Sequence, residues 1–298
     1  MPSPQLIAFL ASLAVLAIGG LISNGFIVAV IVTEWAKSRK LDAREQLLLS
    51  LGMSNIGFSG VLSPYLIKYY LISDFSSPLI LQICYFIGTF LTFSRFWLTA
   101  WLCLFYYLKI INNNCSLFLW CKLRISRITP WLLGGSQAIS LLVSFFALQS
   151  AYIKPQGSIT NMTQDQTEVD FATNFKIFFL ITGAGCPFLI VFPCSIMVVA
   201  SLYRHVYKLT GKESNIRSLQ TDAHTKAAGT VLLLLVLSIS FYVAKILFIT
   251  GCINKDIVAI SVCITMILMY SPVQAALLVL VNPKLKQAAA RMLPRRKP

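Results

Sequence analysis

Apolar residues run through this chain in long unbroken stretches, and polar residues gather in short segments between them. The stretches cover about 6–33, 46–73, 79–111, 129–150, 175–203, 227–251 and 257–281. An α-helix needs about 20 residues to cross roughly 30 Å of hydrocarbon, so the pattern predicts seven membrane helices. The gaps at Ser73–Pro78 and Gly251–Asp256 are short and each carries an Asp, which makes the helices flanking them antiparallel hairpins. A membrane β-barrel would instead alternate apolar and polar positions in segments of about ten residues, and no such pattern is present. Neither is the internal repeat that marks many transporters. The expected fold class is an all-α membrane protein, one seven-helix bundle over residues 1–298.

Composition supports this. Of the 298 residues, 57% are hydrophobic and only 12% charged, whereas soluble domains carry about 25% charged residues. An ordinary soluble enzyme is excluded, and so is a disordered chain. No Lys or Arg precedes the first apolar stretch and it continues to Val32, so it reads as a membrane helix rather than a cleaved secretory signal.

Charge then sets the orientation. Segments 34–45, 109–127, 204–226 and 282–298 hold 19 of the 25 Lys and Arg but 5 of the 10 acids, and so +14 of the net +15. The positive-inside rule places them in the cytoplasm, with the amino terminus outside and a short basic tail, 282–298, inside. Because the basic residues are scattered between apolar spans, they match an anionic membrane face better than nucleic acid. On the outer side, Asn161-Met162-Thr163 is a glycosylation sequon in the segment from about 151 to 174. That segment has no cysteine to pair with Cys84, and no Cys/His cluster points to a metal or other cofactor.

The third span carries the most chemistry. Tyr85, Gly88, Thr89, Thr92, Arg95, Thr99, Cys103 and Tyr106 recur every three or four positions and form one stripe along a helix. Small and hydroxylated residues at this spacing also permit close helix packing with no further role. Arg95 argues for more, since an ionisable group halfway through a span must face protein or water. All 10 acids fall in loops or at span ends, leaving amides as the expected partners. Asn24 and Asn55, both mid-helix, are the candidates for one interhelical polar network with Arg95. The missing intramembrane acid counts against a proton pump or cation transporter. Lys68 reads as snorkelling to the headgroups, while Lys245 is deeper and either snorkels or faces a cavity. No nucleophile elbow, phosphate loop or catalytic histidine pattern occurs, so an enzyme is not expected.

Several motifs, in order, carry a family resemblance: Phe105-Tyr106-Tyr107-Leu108-Lys109-Ile110, Phe118-Leu119-Trp120-Cys121-Lys122-Leu123-Arg124-Ile125, Ser201-Leu202-Tyr203-Arg204-His205, Asp222 with Thr225-Lys226-Ala227, and Asn282-Pro283-Lys284-Leu285-Lys286. Across nearly the whole chain the sequence resembles the type 2 (bitter) taste receptor family of G-protein-coupled receptors, as a divergent member. Asn55 stands where the family usually has Arg, Gln274-Ala275 where it has His-Ser, Ala228 where it has His, and Gly88 where many members have Trp. The displaced cation reads as having moved from the second helix to Arg95 on the third.

The resemblance implies a plasma-membrane receptor that binds bitter or toxic small molecules from outside and activates a gustducin (Gi-type) heterotrimeric G protein inside. The pocket is expected to be bounded by Tyr85, Gly88, Thr89, Thr92 and Phe93, with Lys245 and Ile264 opposite, and to favour anionic or acceptor-rich agonists. The G-protein face is expected around Tyr106, Lys109, Lys122, Arg204, His205 and Lys226. Pro187, Pro193 and Pro272 are bend points or static kinks. A vomeronasal-type pheromone receptor and, further off, a membrane transporter are the other classes compatible with these features.

Overall fold

The computed structural model describes residues 4–62, 78–110, 116–152, 180–210, 229, 232–247 and 257–292. Among them the regular structure is helical, with no strand. The long helices are α1 (Pro4–Ser38), α2 (Ala43–Gly57), α3 (Pro78–Ile110), α4 (Ser116–Tyr152), α5 (Cys186–Thr210), α6 (Leu232–Leu247) and α7 (Ile257–Val281), followed by a short α8 (Pro283–Met292). Two π-helical turns adjoin them: Phe58–Leu62 continues α2, and Leu180–Gly185 leads into α5. Lys68, Asn161, Lys226 and the Gly251–Asp256 turn lie outside the described residues.

Several ends differ from the apolar pattern. The stretch 118–128, expected as a loop, is the first part of α4. Lys122, Arg124 and Arg127 break the apolar run there. Phe118, Ile125 and Thr129 nevertheless recur on one face and are buried, so packing holds the helix where hydropathy gave no signal. Pro130 consequently sits inside α4, although proline commonly opens a helix. Pro193 and Pro272 lie within α5 and α7, but Pro187 falls in the first turn of α5. A missing N–H costs little in a first turn, so Pro187 is no internal bend. The tail expected after residue 281 begins as α8, anchored by the buried Leu285.

Polar groups are inside and many large apolar ones outside. Asn24, Asn55, Thr99, Arg95 and Gln274 are buried, whereas Val15, Ile22, Leu142, Leu189, Val258 and Leu280 are each more than half exposed. Water would not tolerate that distribution and lipid would. Four described helical segments are long and apolar enough to cross a membrane: Leu6–Ser38, Leu79–Lys109, Phe118–Gln149 and Val258–Val281. The protein is a membrane protein built as a helical bundle.

In that bundle α1 packs on α2 and α7, and α3 packs on α2, α4 and α5. Ring contacts of Phe241 and Tyr242 bring α6 against α3, α5 and α7. Two large apolar clusters result. One holds Leu47, Leu51, Leu98, Leu102, Phe105 and Leu278, and the other Phe58, Phe93, Phe96, Phe241, Ile264 and Tyr270. Along α2 and α7 the residues Asn55 and Gln274 fall between the members of the two clusters, and Thr99 of α3 lies next to Leu98 at the same boundary, so a polar layer marks where the clusters meet.

At the end where α2 begins, one carboxylate ties three segments. Glu45 Oε1 accepts from Lys284 Nζ of α8 at 2.6 Å, and Oε2 accepts from the Asp42 backbone N–H at 3.0 Å. Burial raises the Glu45 pKa, but the hydrogen bonds from Lys284 and Asp42, with the nearby positive charges, outweigh it and hold the carboxyl below its ordinary 4.5. The hydrogen bond to Glu45 in turn raises Lys284 above 10.5. A depressed carboxylate stabilises above its unfolded value and loses that contribution as pH falls through the folded one; a raised lysine stabilises until pH climbs through its folded value. The tie is therefore present from about pH 4.5 to 10.5. Lys284 is half exposed, so screening limits the tie to about 1 kcal/mol or less. Glu45→Gln is expected to lower thermal stability slightly at pH 7 and to matter progressively less as pH falls below 4.5, read as Tm of the purified protein.

Candidate functional site

The polar layer is a connected hydrogen-bond network across four helices. Asn55 Nδ2 donates to Asn24 Oδ1 at 3.0 Å and to Gln274 Oε1 at 3.1 Å. Gln274 Nε2 donates to the Tyr270 hydroxyl at 2.7 Å and to Thr99 Oγ1 at 3.2 Å. Asn24 Nδ2 reaches Ser271 Oγ at 3.1 Å, and the Ser59 and Ser271 hydroxyls are 3.5 Å apart. A side chain at Gly20 would put its Cβ 2.7 Å from Ser59 Oγ and 3.1 Å from Ser271 Oγ, so it would displace hydroxyls of the polar layer. Between membrane helices each such bond is worth about 0.6 kcal/mol on average. Several together fix the rotation of α1, α2, α3 and α7 about their own axes.

Arg95 lies beside this network without a hydrogen bond to it. The structure brings Asn24 and Asn55 together, while the Arg95 Nε, Nη1 and Nη2 atoms are buried with no hydrogen-bond partner. Its guanidinium carbon lies 4.2 Å from the Phe58 ring centroid, 4.9 Å from Phe241 and 5.0 Å from Tyr270. Phe241 and Tyr270 stack on one another at 4.2 Å, which makes two walls of the cradle rigid. Phe58 opens the π-helical turn after α2, so that irregularity contributes the residue facing the cation. The link to the network is Tyr270, whose ring holds Arg95 and whose hydroxyl accepts from Gln274. Ring faces attract a cation by about 0.5–2 kcal/mol each, whereas a buried charge loses several kcal/mol of solvation. The one hydroxyl among the rings, that of Tyr270, is engaged by Gln274 and Thr99 and makes no hydrogen bond to the guanidinium.

Lys245 is the second buried cation. It is 8% exposed, and its Nζ lies 5.3 Å from the centroid of the same Phe58 ring. Ile264 and Phe93 belong to the surrounding apolar cluster. Phe93 packs so closely on the turn before α5 that a Cβ at Gly183 would fall 2.1 Å from its ring. Gly88 and Thr92 are buried, and Tyr85 is 41% exposed at the far end of the stripe. The Thr89 and Thr92 hydroxyls donate to the carbonyls of Tyr85 and Gly88, both at 2.7 Å. Phe93 and Ile264 thus share one apolar cluster with Phe58, the ring that Lys245 meets.

At the opposite end, Lys109 lies 5.7 Å from the Phe105 ring and Lys122 5.9 Å from Phe118. The Tyr106 hydroxyl is buried without a partner, and Arg204 is exposed. His205 belongs to α5, but its side chain lies outside the described set. Arg204 and Tyr203 edge a cavity of about 600 Å³ between α5 and α6, lined otherwise by apolar residues such as Ile196, Val199, Leu232 and Leu235.

The sequence pattern of the taste receptor protein (TAS2R) family matches residues 1–297. The chain belongs to this family. It is 30% identical to taste receptor type 2 member 8 of Papio hamadryas, over 93% of this chain and 92% of that protein. It is 29% identical to taste receptor type 2 member 143 of Rattus norvegicus, over 97% and 98%. With taste receptor type 2 member 2 of Homo sapiens it shares 29% identity over 76% of this chain and 75% of that protein. This taste receptor is a G-protein-coupled receptor and not an enzyme.

Sequence reasoning did not single out Phe58, Phe241 and Tyr270 as the cradle of Arg95, nor Gln274 as the hub of the network. Gln274 had a signal: an amide in the middle of an apolar span, one turn after a tyrosine. The aromatic residues had none, because a phenylalanine in an apolar run looks the same whether it faces lipid, core or cation.

Proposed function

We propose that this taste receptor crosses the plasma membrane seven times as a single domain. Its amino terminus and the Asn161 sequon are outside, and the basic segments and tail are inside. It binds bitter or toxic small molecules in a pocket opening outward from Phe93, Thr92, Thr89, Gly88, Tyr85, Ile264 and Lys245. Binding activates a gustducin-type G protein at a face formed by Tyr106, Lys109, Lys122, Arg204, His205 and Lys226. The observation that best supports a ligand-responsive bundle is Arg95 and Lys245 against one ring where α2, α3, α6 and α7 meet. An agonist arriving there can act only by favouring one arrangement of the inner ends over another. Trp35, Trp120 and Tyr203, exposed toward the basic end, fit an interfacial belt beside the cytoplasm.

The reading is tested by screening bitter compounds in cells reporting calcium through a chimeric G protein, with epitope tags at both termini. Agonist-dependent calcium, an outside amino terminus and an inside carboxyl terminus are expected. A cytosolic amino terminus overturns the topology, and silence to every compound despite surface expression overturns the ligand class. Lys245→Met is expected to raise the EC50 of carboxylate or acceptor-rich agonists at least tenfold and that of apolar agonists far less. Equal loss for both would remove the electrostatic role.

A further inference from the structure

Two cations meet the same ring where α2, α3, α6 and α7 come together, and among the described residues no acid pairs with either of them. Arg95 and Lys245 lie 4.2 and 5.3 Å from the Phe58 centroid, so their separation is at most the sum of those distances. The described acids are Glu34, Asp42 and Glu45, all at the basic end of the bundle, and Glu45 is already engaged by Lys284. Three guanidinium nitrogens are fully buried with no acceptor. The one acceptor among the cradle rings, the Tyr270 hydroxyl, is taken by Gln274 and Thr99. A hydrogen-bond acceptor carrying negative charge answers every part of this arrangement.

We propose that Arg95 and Lys245 together hold one small monovalent anion, either a free halide or the carboxylate of an agonist. The anion takes N–H donors from Arg95 and Lys245, while the rings keep the guanidinium against their electron-rich faces. Aromatic edges are electropositive, so a polarisable halide sits well where ring edges surround it. One negative charge lowers the net charge of the site from two to one and relieves the repulsion between the cations. The proposal deepens the receptor reading and rests on it only for entry of the anion from outside.

The test uses full-length receptor purified in detergent without agonist, at equal ionic strength in sodium chloride, bromide, formate or gluconate. Melting is expected about 5 °C higher in chloride or bromide than in gluconate, saturating with concentration. The chloride NMR line should broaden with receptor and sharpen again when bromide is added. If formate reproduces the stabilisation and a carboxylate agonist displaces chloride, the site also accepts the agonist's own anion. If only halides act, the occupant is the free ion. Lys245→Met should raise the halide midpoint at least tenfold, and Arg95→Met should abolish the effect. Should Arg95→Met fail to fold, Lys245→Met with the line-width measurement decides. Equal melting in chloride and gluconate with no line broadening overturns the proposal, and so does an unchanged midpoint in Lys245→Met. Silence to bitter compounds with halide binding intact would instead fault the receptor reading alone.

Discussion

Replacing Arg95 by alanine is expected to abolish agonist-evoked calcium signals or raise the EC50 more than tenfold, even where surface expression persists. The substitution empties the cradle of Phe58, Phe241 and Tyr270 and removes the one side chain of α3 that touches all three rings, leaving Phe96 and Thr99 to hold α3 against α6 and α7. The informative partner is the exchange Asn55→Arg with Arg95→Ser, which is expected to restore part of the response. Asn55 lies one turn before Phe58 on α2 and donates to Asn24 and Gln274. An arginine there keeps donors for both amide oxygens and returns a buried cation to the same region. Surface-normalised calcium dose–response curves give the measurement. If the double variant is no better than Arg95→Ala, the notion that the cation can occupy either helix fails.

Asn55→Leu is expected to reduce the melting temperature and surface expression more than alanine substitution at Ser59, a hydroxyl residue of the polar layer. Two acceptors, Asn24 Oδ1 and Gln274 Oε1, lose the Asn55 donor in a region that is fully buried. Leaving a buried polar group unpaired costs about 1–3 kcal/mol, while a hydrogen bond between membrane helices contributes about 0.6 on average and at most about 1.7. The loss of partners therefore outweighs the loss of bonds. Ser59→Ala removes only a 3.5 Å contact and serves as the mild comparison. Thermal melts of purified receptor rank the two, and an Asn55→Leu protein as stable as Ser59→Ala would show that the network carries little of the fold.

Much of this arrangement can be read along the chain, for identifiable reasons. The last apolar stretch, 257–281, coincides with α7, and the third, 79–111, differs from α3 by one residue at each end. Short polar punctuation and proline set those boundaries locally. The start of α4 and all of α8 escaped because their helicity depends on burying a few residues, Phe118, Ile125 and Leu285, among basic ones. Arg95 stood out in the sequence because a charge within an apolar span is costly wherever it points. Its surroundings did not, since they are ordinary aromatic residues drawn from three other segments.

What the sequence determined by itself is the inventory of each helix: apolar length, one basic end, and which spans contain an amide or a cation. Only the tertiary structure decided the pairing. Asn55 and Gln274 are separated by 219 positions, and Phe58, Phe241 and Tyr270 meet Arg95 from three different segments. Hydrophobic periodicity fixes where a helix lies but only loosely how it is turned about its axis, because lipid accepts any apolar face. Close contact at Gly20 and Gly183, the π-helical turn at Phe58 and the amide bonds between helices select the rotation, and that rotation places both cations on one ring.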